Sequence, residues 1–521
     1  MKALDLIIIF GYLIGIVLFG TWFGRKQKTT ADYFLGDRSV PWWAVAFSIV
    51  ATETSTITFI SIPGVAFARG GNFGFLQLVF GYLLGRIVIS LLFIPSYFRG
   101  ELLTVYQLLD QRFGGKIKMV AASLFVVMRN IADGIRLLLT AIVLAAVYAA
   151  FQPNANSETI IIGSIILIGL AMIIFTYFGG MEAVIWVEVV QLGIYIAGAI
   201  AAAVVLISSI DGGLATVSSA ATQFGKYSLF DFSFDLSKTY TFWSGLIGGC
   251  FLTMSTHGTD QYLVQRYLCT DSARRATIAL LTSGAIVLVQ FIGFLFIGVL
   301  LFAFYHPFTD PSYATAASAA FPFTGGDRVF PDFITKYMPT GLSGLVVAAI
   351  FAAAMSSSLN SIAATAVNDL YKPFRPNRND RHYLKVSHLL TLIWGVVQIG
   401  VALAVRNQPG SALSNALSIA SLINGPILGV FLVGTFLRRV SQPPALIGML
   451  VSIGSMLYVF LATKIAWPWY VFLGSMITFV VAWAASFGFS ASSAQSLRSL
   501  RWNDVNAEDA EIARGTQRKS P

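Results

Sequence analysis

About thirteen stretches of this chain are each long and apolar enough to cross a lipid bilayer as an α-helix. A membrane-spanning helix needs roughly 20 mostly apolar residues. Only 11% of the 521 residues are charged, whereas an ordinary soluble domain has about 25%. We therefore predict an all-α polytopic membrane protein, because so few charges cannot cover a soluble surface. The predicted spans are 4–23, 41–68, 74–98, 117–150, 159–179, 183–209, 241–264, 276–305, 339–370, 384–405, 413–437, 444–463 and 467–487.

The 34 Lys and Arg residues are unevenly distributed between the loops. If the N-terminus lies outside, the cytoplasmic segments hold 23 of them, including Arg266, and the external segments hold 8, including Lys226. Basic residues are enriched in cytoplasmic loops, so we expect an external N-terminus and a cytoplasmic C-terminus in the cell membrane. The net charge of +10 thus reports topology. We expect no nucleic-acid partner, since the basic residues form no single stripe.

The first apolar stretch could be a signal peptide, but the basic run 25–28 follows it directly and no small-residue cleavage site is present. We interpret it as an anchoring helix. Two cysteines, Cys250 and Cys269, exclude a disulfide framework, and no His/Cys cluster indicates a metal or cofactor. The chain carries no enzyme motif and no soluble signalling domain. We expect the bilayer and a small-molecule solute as partners, with no obligatory protein partner.

Two predicted spans contain polar runs near their middle, at 51–56 and 253–260. Non-helical backbone is tolerated inside a membrane only where protein or water satisfies it, and matching breaks in two halves indicate a transporter site. Ser and Thr that hold helices together are the alternative. We predict an extra helix at 1–24, repeat halves of opposite orientation at 41–209 and 241–437, two peripheral helices at 444–487 and a cytoplasmic tail at 488–521.

Seven short motifs follow one another along most of the chain. They are 31–36 (ADYFLG), 112–115 (RFGG), 177–181 (YFGGM), 183–186 (AVIW), 260–266 (DQYLVQR), 360–361 (NS) and 369–373 (DLYKP). With these motifs the chain resembles the sodium:solute symporter family. The resemblance implies a LeuT-type five-plus-five inverted repeat, broken first and sixth core helices, and alternating access that couples a cation to a solute.

Six ionisable residues inside predicted spans are singled out as functional candidates, and their charges sum to zero. They are Glu53, Arg86, Arg129, Asp133, Arg136 and Glu188. Such residues are costly in a membrane and are functional candidates by default. Glu53 and Arg86 lie at the centres of consecutive antiparallel spans, hence at similar depth. They form either a structural ion pair or, with Glu53 at a sugar-contacting position of the family, part of the substrate site.

Arg129, Asp133 and Arg136 are spaced i, i+4 and i+7, which places them on one helical face with a surplus positive charge. Arginine suits two-point capture of a carboxylate. We therefore expect an anionic substrate held by Arg136 or Arg129. The alternative is a structural ladder of ion pairs against Glu53 or Glu188.

The resemblance also implies a sodium site between the first and eighth core helices. The matching positions include Ala353 and Ala354, where the family has Ser or Thr, so two hydroxyl ligands are missing. Glu188 stands where the family usually has Asp. Three alternatives follow: sodium coupling, proton coupling through Glu188 or Glu53, or an uncoupled carrier. The predicted cation-site residues are Ala51, Thr54, Glu188, Ile350, Ala353, Ala354, Ser356 and Ser357.

The sugar-contacting residues of the family are mostly replaced. Thr256 and His257 stand at its aromatic inner gate, and Leu417 and Thr58 stand where the sugar branch has polar contacts. We expect a small carboxylate, an acidic sugar or an amino acid instead of a simple sugar. His257 could equally be a hydrogen-bonded helix contact. The predicted substrate-binding residues are Glu53, Thr58, Arg86, Arg129, Arg136, Ser255, Thr256 and His257.

Overall fold

A computed structural model of the protein describes residues 3–23, 29–100, 102–151, 156–305, 326–355, 358–406 and 412–490. Within these ranges the chain is helical and contains no β-strand. The predicted cation ligands Ser356 and Ser357, and the predicted tail beyond residue 490, lie outside the described residues.

Within the described residues, the N-terminal half contains ten α-helices. They are α1 (Ala3–Phe23), α2 (Thr30–Leu35), α3 (Trp42–Glu53), α4 (Thr56–Phe67), α5 (Leu76–Leu92), α6 (Ile94–Tyr97), α7 (Gln107–Phe113), α8 (Gly115–Phe151), α9 (Ser157–Ser209) and α10 (Gly213–Gln223).

The C-terminal half contributes ten more. They are α11 (Gly249–Gly258), α12 (Gln261–Leu268), α13 (Ala273–Phe304), α14 (Val329–Lys336), α15 (Leu342–Met355), α16 (Leu359–Thr365), α17 (Asp380–Val405), α18 (Ala412–Phe436), α19 (Gln442–Ala462) and α20 (Trp469–Ser490). Single π-helical segments precede α11, at Ser244–Gly248, and follow α16, at Ala366–Tyr371.

Seven helices of the described chain are individually long and apolar enough to cross a bilayer: α1, α5, α9, α13, α17, α19 and α20. The 53-residue α9 is about 80 Å long at 1.5 Å per residue, far more than one bilayer. Gly180, with φ 63° and ψ −167°, interrupts it between the predicted spans 159–179 and 183–209. The protein is a multi-pass membrane protein. The total of about thirteen spans and the inverted symmetry remain predictions.

The first predicted break lies between α3 and α4, which bend by 57°. Thr54 leaves helical geometry at φ −80° and ψ 55°, although its N–H still donates to Val50 O at 2.8 Å. Ser55 is extended and its hydroxyl oxygen accepts from Thr58 N, so it begins α4 as an N-cap. The polar run 51–56 therefore supplies the cap that restarts the helix inside the membrane.

The second predicted break lies at the end of its polar run. α11 ends at Gly258, Asp260 is extended at φ −95° and ψ 120°, and its carboxylate accepts from Tyr262 N at 2.9 Å. Asp260 thus caps α12 in the way that Ser55 caps α4. Within the predicted span 339–370, the described residues form α15, α16 and the π-helical segment Ala366–Tyr371, and residues 356 and 357 between α15 and α16 lie outside the described residues.

Helix packing places both breaks in the interior. α5 packs against α11, and α13 packs against α3, α4 and α5. Gly81 and Gly85 permit the close approach of α5 to α11, since a Cβ at Gly81 would lie 2.2 Å from Gly245 O and one at Gly85 2.7 Å from Cys250 O. Helix α1 packs outside this set against α9 and α15, and α19 and α20 pack against α18.

Candidate functional site

Three ionisable side chains meet where both broken helices face α5. One oxygen of Glu53, the last residue of α3, contacts both Arg86 Nη2 and His257 Nε2. Arg86 Nη2 lies 3.4 Å from His257 Nε2, and His257 Nδ1 lies 2.9 Å from Thr256 Oγ1. The Arg86 side chain is 1% exposed and that of Glu53 is 14% exposed. The structure thus pairs Glu53 with Arg86, as the ion-pair hypothesis expected, and places His257 in contact with both.

Arg129 on α8 pairs with Asp260 at the second break. The ladder hypothesis paired the α8 cations with Glu53 or Glu188, and for Arg129 that partner was wrong. Asp260 lies in the motif 260–266, but it was not among the six ionisable residues singled out inside the predicted spans. It is 2% exposed, and it neutralises the surplus positive charge expected on this face of α8.

Arg136, one helical turn beyond Asp133, is held more loosely than Arg129. Its Nη1 lies 3.5 Å from Asp133 Oδ1 and donates to Tyr262 Oη at 3.2 Å. Its buried Nε has no hydrogen-bond partner among the described residues. The second oxygen of Asp133 accepts from Ser358 N at 2.9 Å and from Ser358 Oγ at 2.5 Å. The pairing of Arg136 is therefore within α8, and not with Glu53 or Glu188.

The Tyr262 ring is the common platform of three arginines. The guanidinium carbons of Arg129 and Arg266 each lie 4.6 Å from its centroid, and that of Arg136 lies 5.8 Å away. A cation over an aromatic face is worth about 0.5–2 kcal/mol, most where water is excluded. Tyr262 thus offsets part of the cost of burying three like charges together, a role that its position in the motif 260–266 does not predict.

Glu188 is held from three sides. Arg266 Nη2 donates to its Oε1 at 2.5 Å and Arg266 Nε to its Oε2 at 3.2 Å, and neither side chain is exposed. Thr52 Oγ1 donates to Oε1 at 3.0 Å, and Ser48 Oγ also donates. The expectation that Arg266 lies in a loop was wrong, because Arg266 is part of α12 and is buried. The predicted span 241–264 ends before Arg266, so the ion pair between Arg266 and Glu188 was not predicted.

With these two additions the site contains eight charged side chains. The four acids are Glu53, Asp133, Glu188 and Asp260, and the four bases are Arg86, Arg129, Arg136 and Arg266. Each base has an acidic neighbour within 4 Å. The formal charge of the set is zero, so an extra anion and an extra cation would together leave it neutral.

The predicted cation residues fall on three helices. Ala51 and Thr54 lie at the first break, and Thr54 Oγ1 is 2.7 Å from Val50 O and 2.9 Å from Gln290 Oε1 on α13. Ile350 is buried in α15. Ala353 and Ala354 lie in the last turns of α15. No group of three or more His, Cys, Asp or Glu suited to a metal occurs in the described chain.

The predicted hydroxyl-bearing substrate residues bond mainly to backbone. Thr58 Oγ1 donates to Glu53 O at 2.8 Å, across the first break, and Thr256 Oγ1 donates to Leu252 O at 3.0 Å. Ser255 Oγ donates to Asn424 O on α18 at 3.3 Å. Thr58 and Ser255 therefore tie the breaks to neighbouring backbone, whereas Thr256 also contacts the ring of His257.

The sequence model described as "Sodium:solute symporter family" matches residues 33–452. The chain is 31% identical to the sodium/sialic acid symporter NanT of Aliivibrio fischeri, over 92% of each chain. It is 30% identical to the sodium/sialic acid symporter SiaT of Proteus mirabilis, over 90% of this chain and 92% of the relative. A solved, substrate-bound, outward-open Na⁺-coupled sialic acid symporter superposes with a TM-score of 0.80 at 29% identity, over 94% of this chain and 98% of the other.

Proposed function

The chain belongs to the sodium:solute symporter family, a family of transporters rather than enzymes, and we propose that it moves a small organic acid inward together with sodium by alternating access. A carboxylate, an acidic sugar or an amino acid is the substrate class. The similarity to two sodium/sialic acid symporters makes an acidic sugar the first solute to test. The bilayer and the solute are its partners, and the coupling ion takes the place of any cofactor.

The observation that carries the acidic substrate is the environment of Arg136. The other three arginines of the site contact a carboxylate directly. Arg136 stands 3.5 Å from Asp133, whereas Arg129 is in close contact with Asp260. The buried Nε atoms of both Arg129 and Arg136 lack a hydrogen-bond partner among the described residues, so the looser carboxylate contact is what distinguishes Arg136. A planar guanidinium with uncommitted N–H groups is suited to hold a carboxylate at two points. This favours Arg136 over Arg129 as the clamp.

For the coupling ion, the family favours sodium, bound by oxygens at the first break and on α15. Backbone carbonyls of Ala51, Thr54 and Ile350 would supply hard ligands of the kind such cations prefer. Glu188 would act near this site while bonded to Arg266, and Ser356 and Ser357 would replace the hydroxyls absent at Ala353 and Ala354.

Proton coupling is the second candidate, and here the geometry favours Glu53 over Glu188. Glu53 contacts the imidazole of His257, so a proton could pass between a carboxylate and a ring nitrogen without separating the pair. Both acids contact an arginine, Glu53 with Arg86 and Glu188 with Arg266. The difference is the imidazole beside Glu53, which can carry the proton while the carboxylate stays charged, whereas Glu188 accepts from two hydroxyls besides Arg266. An uncoupled carrier is the third candidate.

Uptake into proteoliposomes separates the three candidates. Purified protein is reconstituted, and sodium and proton gradients are imposed separately while radiolabelled sialic acid and a panel of monocarboxylates and amino acids are offered. Accumulation driven by the sodium gradient alone supports the proposal, and accumulation driven by the proton gradient alone supports the second candidate. Uptake that equilibrates under both gradients would leave the uncoupled carrier. Empty liposomes and sodium replaced by choline are the controls.

We also propose the orientation derived from the basic residues, with the N-terminus outside. The start of α1 lies beside the start of α15, since Asp5 contacts Gly341 and Ser343. The predicted topology places the starts of both helices at the external face, and their contact supports this topology. Cysteine substitution at Leu4, whose side chain is exposed, followed by labelling of intact cells with a membrane-impermeant maleimide tests it. Labelling that occurs only after permeabilisation would show that the N-terminus lies inside the cell and would contradict the proposed orientation.

A further inference from the structure

The N-terminal helix α1 reaches across to α15 through one buried carboxylate. Asp5 is 0% exposed, and its Oδ1 accepts from Gly341 N at 2.6 Å, Ser343 Oγ at 3.0 Å and Gly344 N at 3.1 Å. The first N–H groups of any helix lack partners within that helix. Asp5 therefore satisfies two of the backbone donors at the start of α15, together with one hydroxyl.

Helix α15 has no N-cap side chain of its own. Gly341 occupies the cap position directly before Leu342, the first residue of α15, and its carbonyl accepts from Leu345 N at 3.0 Å. It has no side chain, and its φ of +88° is one that other residues rarely adopt. A normal cap oxygen accepts from the second or third N–H of the helix, and Asp5 accepts from that of Gly344, the third residue. The cap of α15 is thus supplied by another helix.

The close approach of the two helices depends on a second glycine. A Cβ at Gly344 would lie 2.7 Å from Asp5 Cα and 2.8 Å from Asp5 O. Those distances are too short for any real side chain. By contrast, Gly11 and Gly15, further along α1, have no atom within 4 Å of such a Cβ. The contact at Gly344 is therefore specific to the capping end of α1.

Helix α15 also carries three of the proposed cation-site residues. At 1.5 Å per residue, Ile350 lies about 9 Å along the helix from Gly344, and Ala354 about 15 Å. A rigid helix that is fixed at its start is fixed at these positions too. The negative charge of Asp5 at the N-terminus also complements the helix dipole, whose negative end points toward the cation residues.

We propose that Asp5 is a positioning residue for cation binding, which it promotes by capping α15 from outside the repeat fold. This inference rests on the proposed sodium coupling. Truncation of the cap should loosen the start of α15 and lower the affinity for sodium. Loss of this cap in Asp5→Ala should raise the half-saturating sodium concentration roughly three- to tenfold, which corresponds to about 0.65–1.4 kcal/mol and lies within the usual range for an N-cap.

The test measures sodium-dependent thermal stabilisation of the purified protein, titrated with NaCl against choline chloride at constant ionic strength. The variants are Asp5→Ala, Asp5→Asn and Gly344→Ala, with Gly11→Ala and Gly15→Ala as matched controls in α1. We expect Asp5→Ala and Gly344→Ala to need more sodium, and Asp5→Asn to stay near the wild type, because an amide oxygen also accepts. The two control variants should titrate like the wild type.

Hydrogen–deuterium exchange over residues 341–346 is the second readout. Faster exchange in Asp5→Ala together with a higher sodium requirement supports the proposal. Faster exchange with an unchanged sodium requirement overturns it, because the cap would then be structural only. A wild type that sodium does not stabilise overturns the proposed sodium coupling as well, whereas a loss of the Asp5 effect alone leaves that coupling intact.

Discussion

Glu188 and Arg266 form a two-point ion pair in which neither side chain is exposed to solvent. The pair joins the second half of α9 to α12, the helix that follows the second break, and Ser48 and Thr52 on α3 complete its hydrogen bonds. Removing one partner of such a pair leaves an unbalanced buried charge and costs about 3–5 kcal/mol, whereas removing both can be nearly neutral. The pair therefore has separable structural and functional consequences.

The first prediction concerns this pair. Glu188→Gln should lower the thermal stability in detergent, because Arg266 loses its counter-charge, and should abolish sodium-driven accumulation if Glu188 is needed for coupling. The double variant Glu188→Gln with Arg266→Gln should recover much of the stability without recovering accumulation. Unfolding temperatures and proteoliposome uptake check the two effects separately. A double variant less stable than both single variants would contradict the structural part, and normal accumulation in Glu188→Gln would remove the coupling role.

The second prediction concerns Arg136 as the carboxylate clamp. Arg136→Leu should weaken binding of sialic acid by about tenfold or more, equivalent to at least 1.4 kcal/mol. It should weaken binding of the uncharged methyl ester of sialic acid much less. Binding to the purified protein by calorimetry measures both. Arg129→Leu is the matched comparison, and we expect it to cost mainly stability because it leaves Asp260 unpaired. Equal losses for acid and ester in Arg136→Leu would rule out the clamp.

The third prediction concerns Tyr262 as the platform of three arginines. Tyr262→Phe keeps the ring and removes only the hydroxyl that accepts from Arg136, so we expect a loss of about 1 kcal/mol or less. Tyr262→Leu also removes three cation–ring contacts, each worth about 0.5–2 kcal/mol, and should be clearly less stable. Thermal unfolding ranks the two variants. Equal stability of the Phe and Leu variants would show that the ring faces contribute nothing.

The fourth prediction concerns Lys226, which caps the C-terminal end of α4. Its Nζ donates to the carbonyls of Ala66, Phe67 and Ala68 at 3.0, 3.1 and 2.7 Å and lies 4.2 Å from the Phe302 centroid. Burial lowers the pKa of Lys226 to about 7. The unfolded chain, with an ordinary lysine pKa, therefore holds more protons between pH 7 and about 10.4 than the folded protein does.

Stability should consequently rise with pH across that window, by up to about 1.4 kcal/mol per pH unit from this group. The unfolding temperature of the wild type should increase more between pH 7 and pH 9 than that of Lys226→Met. Lys238→Met serves as the control, because Lys238 is exposed. The unfolding temperature of this variant should depend on pH in the same way as that of the wild type. A Lys226→Met profile parallel to that of the wild type would contradict the pKa shift.

Depth arguments from the sequence identified part of the site. Consecutive antiparallel spans place their centres at one depth, and this predicted that Glu53 could meet Arg86. Helical spacing likewise predicted that Arg129 and Arg136 share a face, and both lie over one ring. These arguments succeed because spacing and span order are local properties that a single sequence contains.

Contacts between helices that are distant in the chain escaped prediction. His257 joined Glu53 because α11 packs on α5, and span counting contains no information on such neighbours. Arg266 was misplaced because its helix is short and polar, and a short polar helix following a break has the composition of a loop. Asp5 shows the same limit, since only the packing of α1 on α15 reveals which helix start lacks a cap.

The balance of four acids and four arginines has a consequence for the membrane voltage. Moving one elementary charge through 100 mV changes the free energy by about 2.3 kcal/mol. A neutral set of site charges gives the voltage no net charge to act on when the empty site turns from one face to the other. Under the proposed symport, the voltage dependence of transport is then set by the net charge of the transported ions and solute. One sodium with one monoanion carries no net charge, whereas each additional sodium makes inward transport voltage-driven.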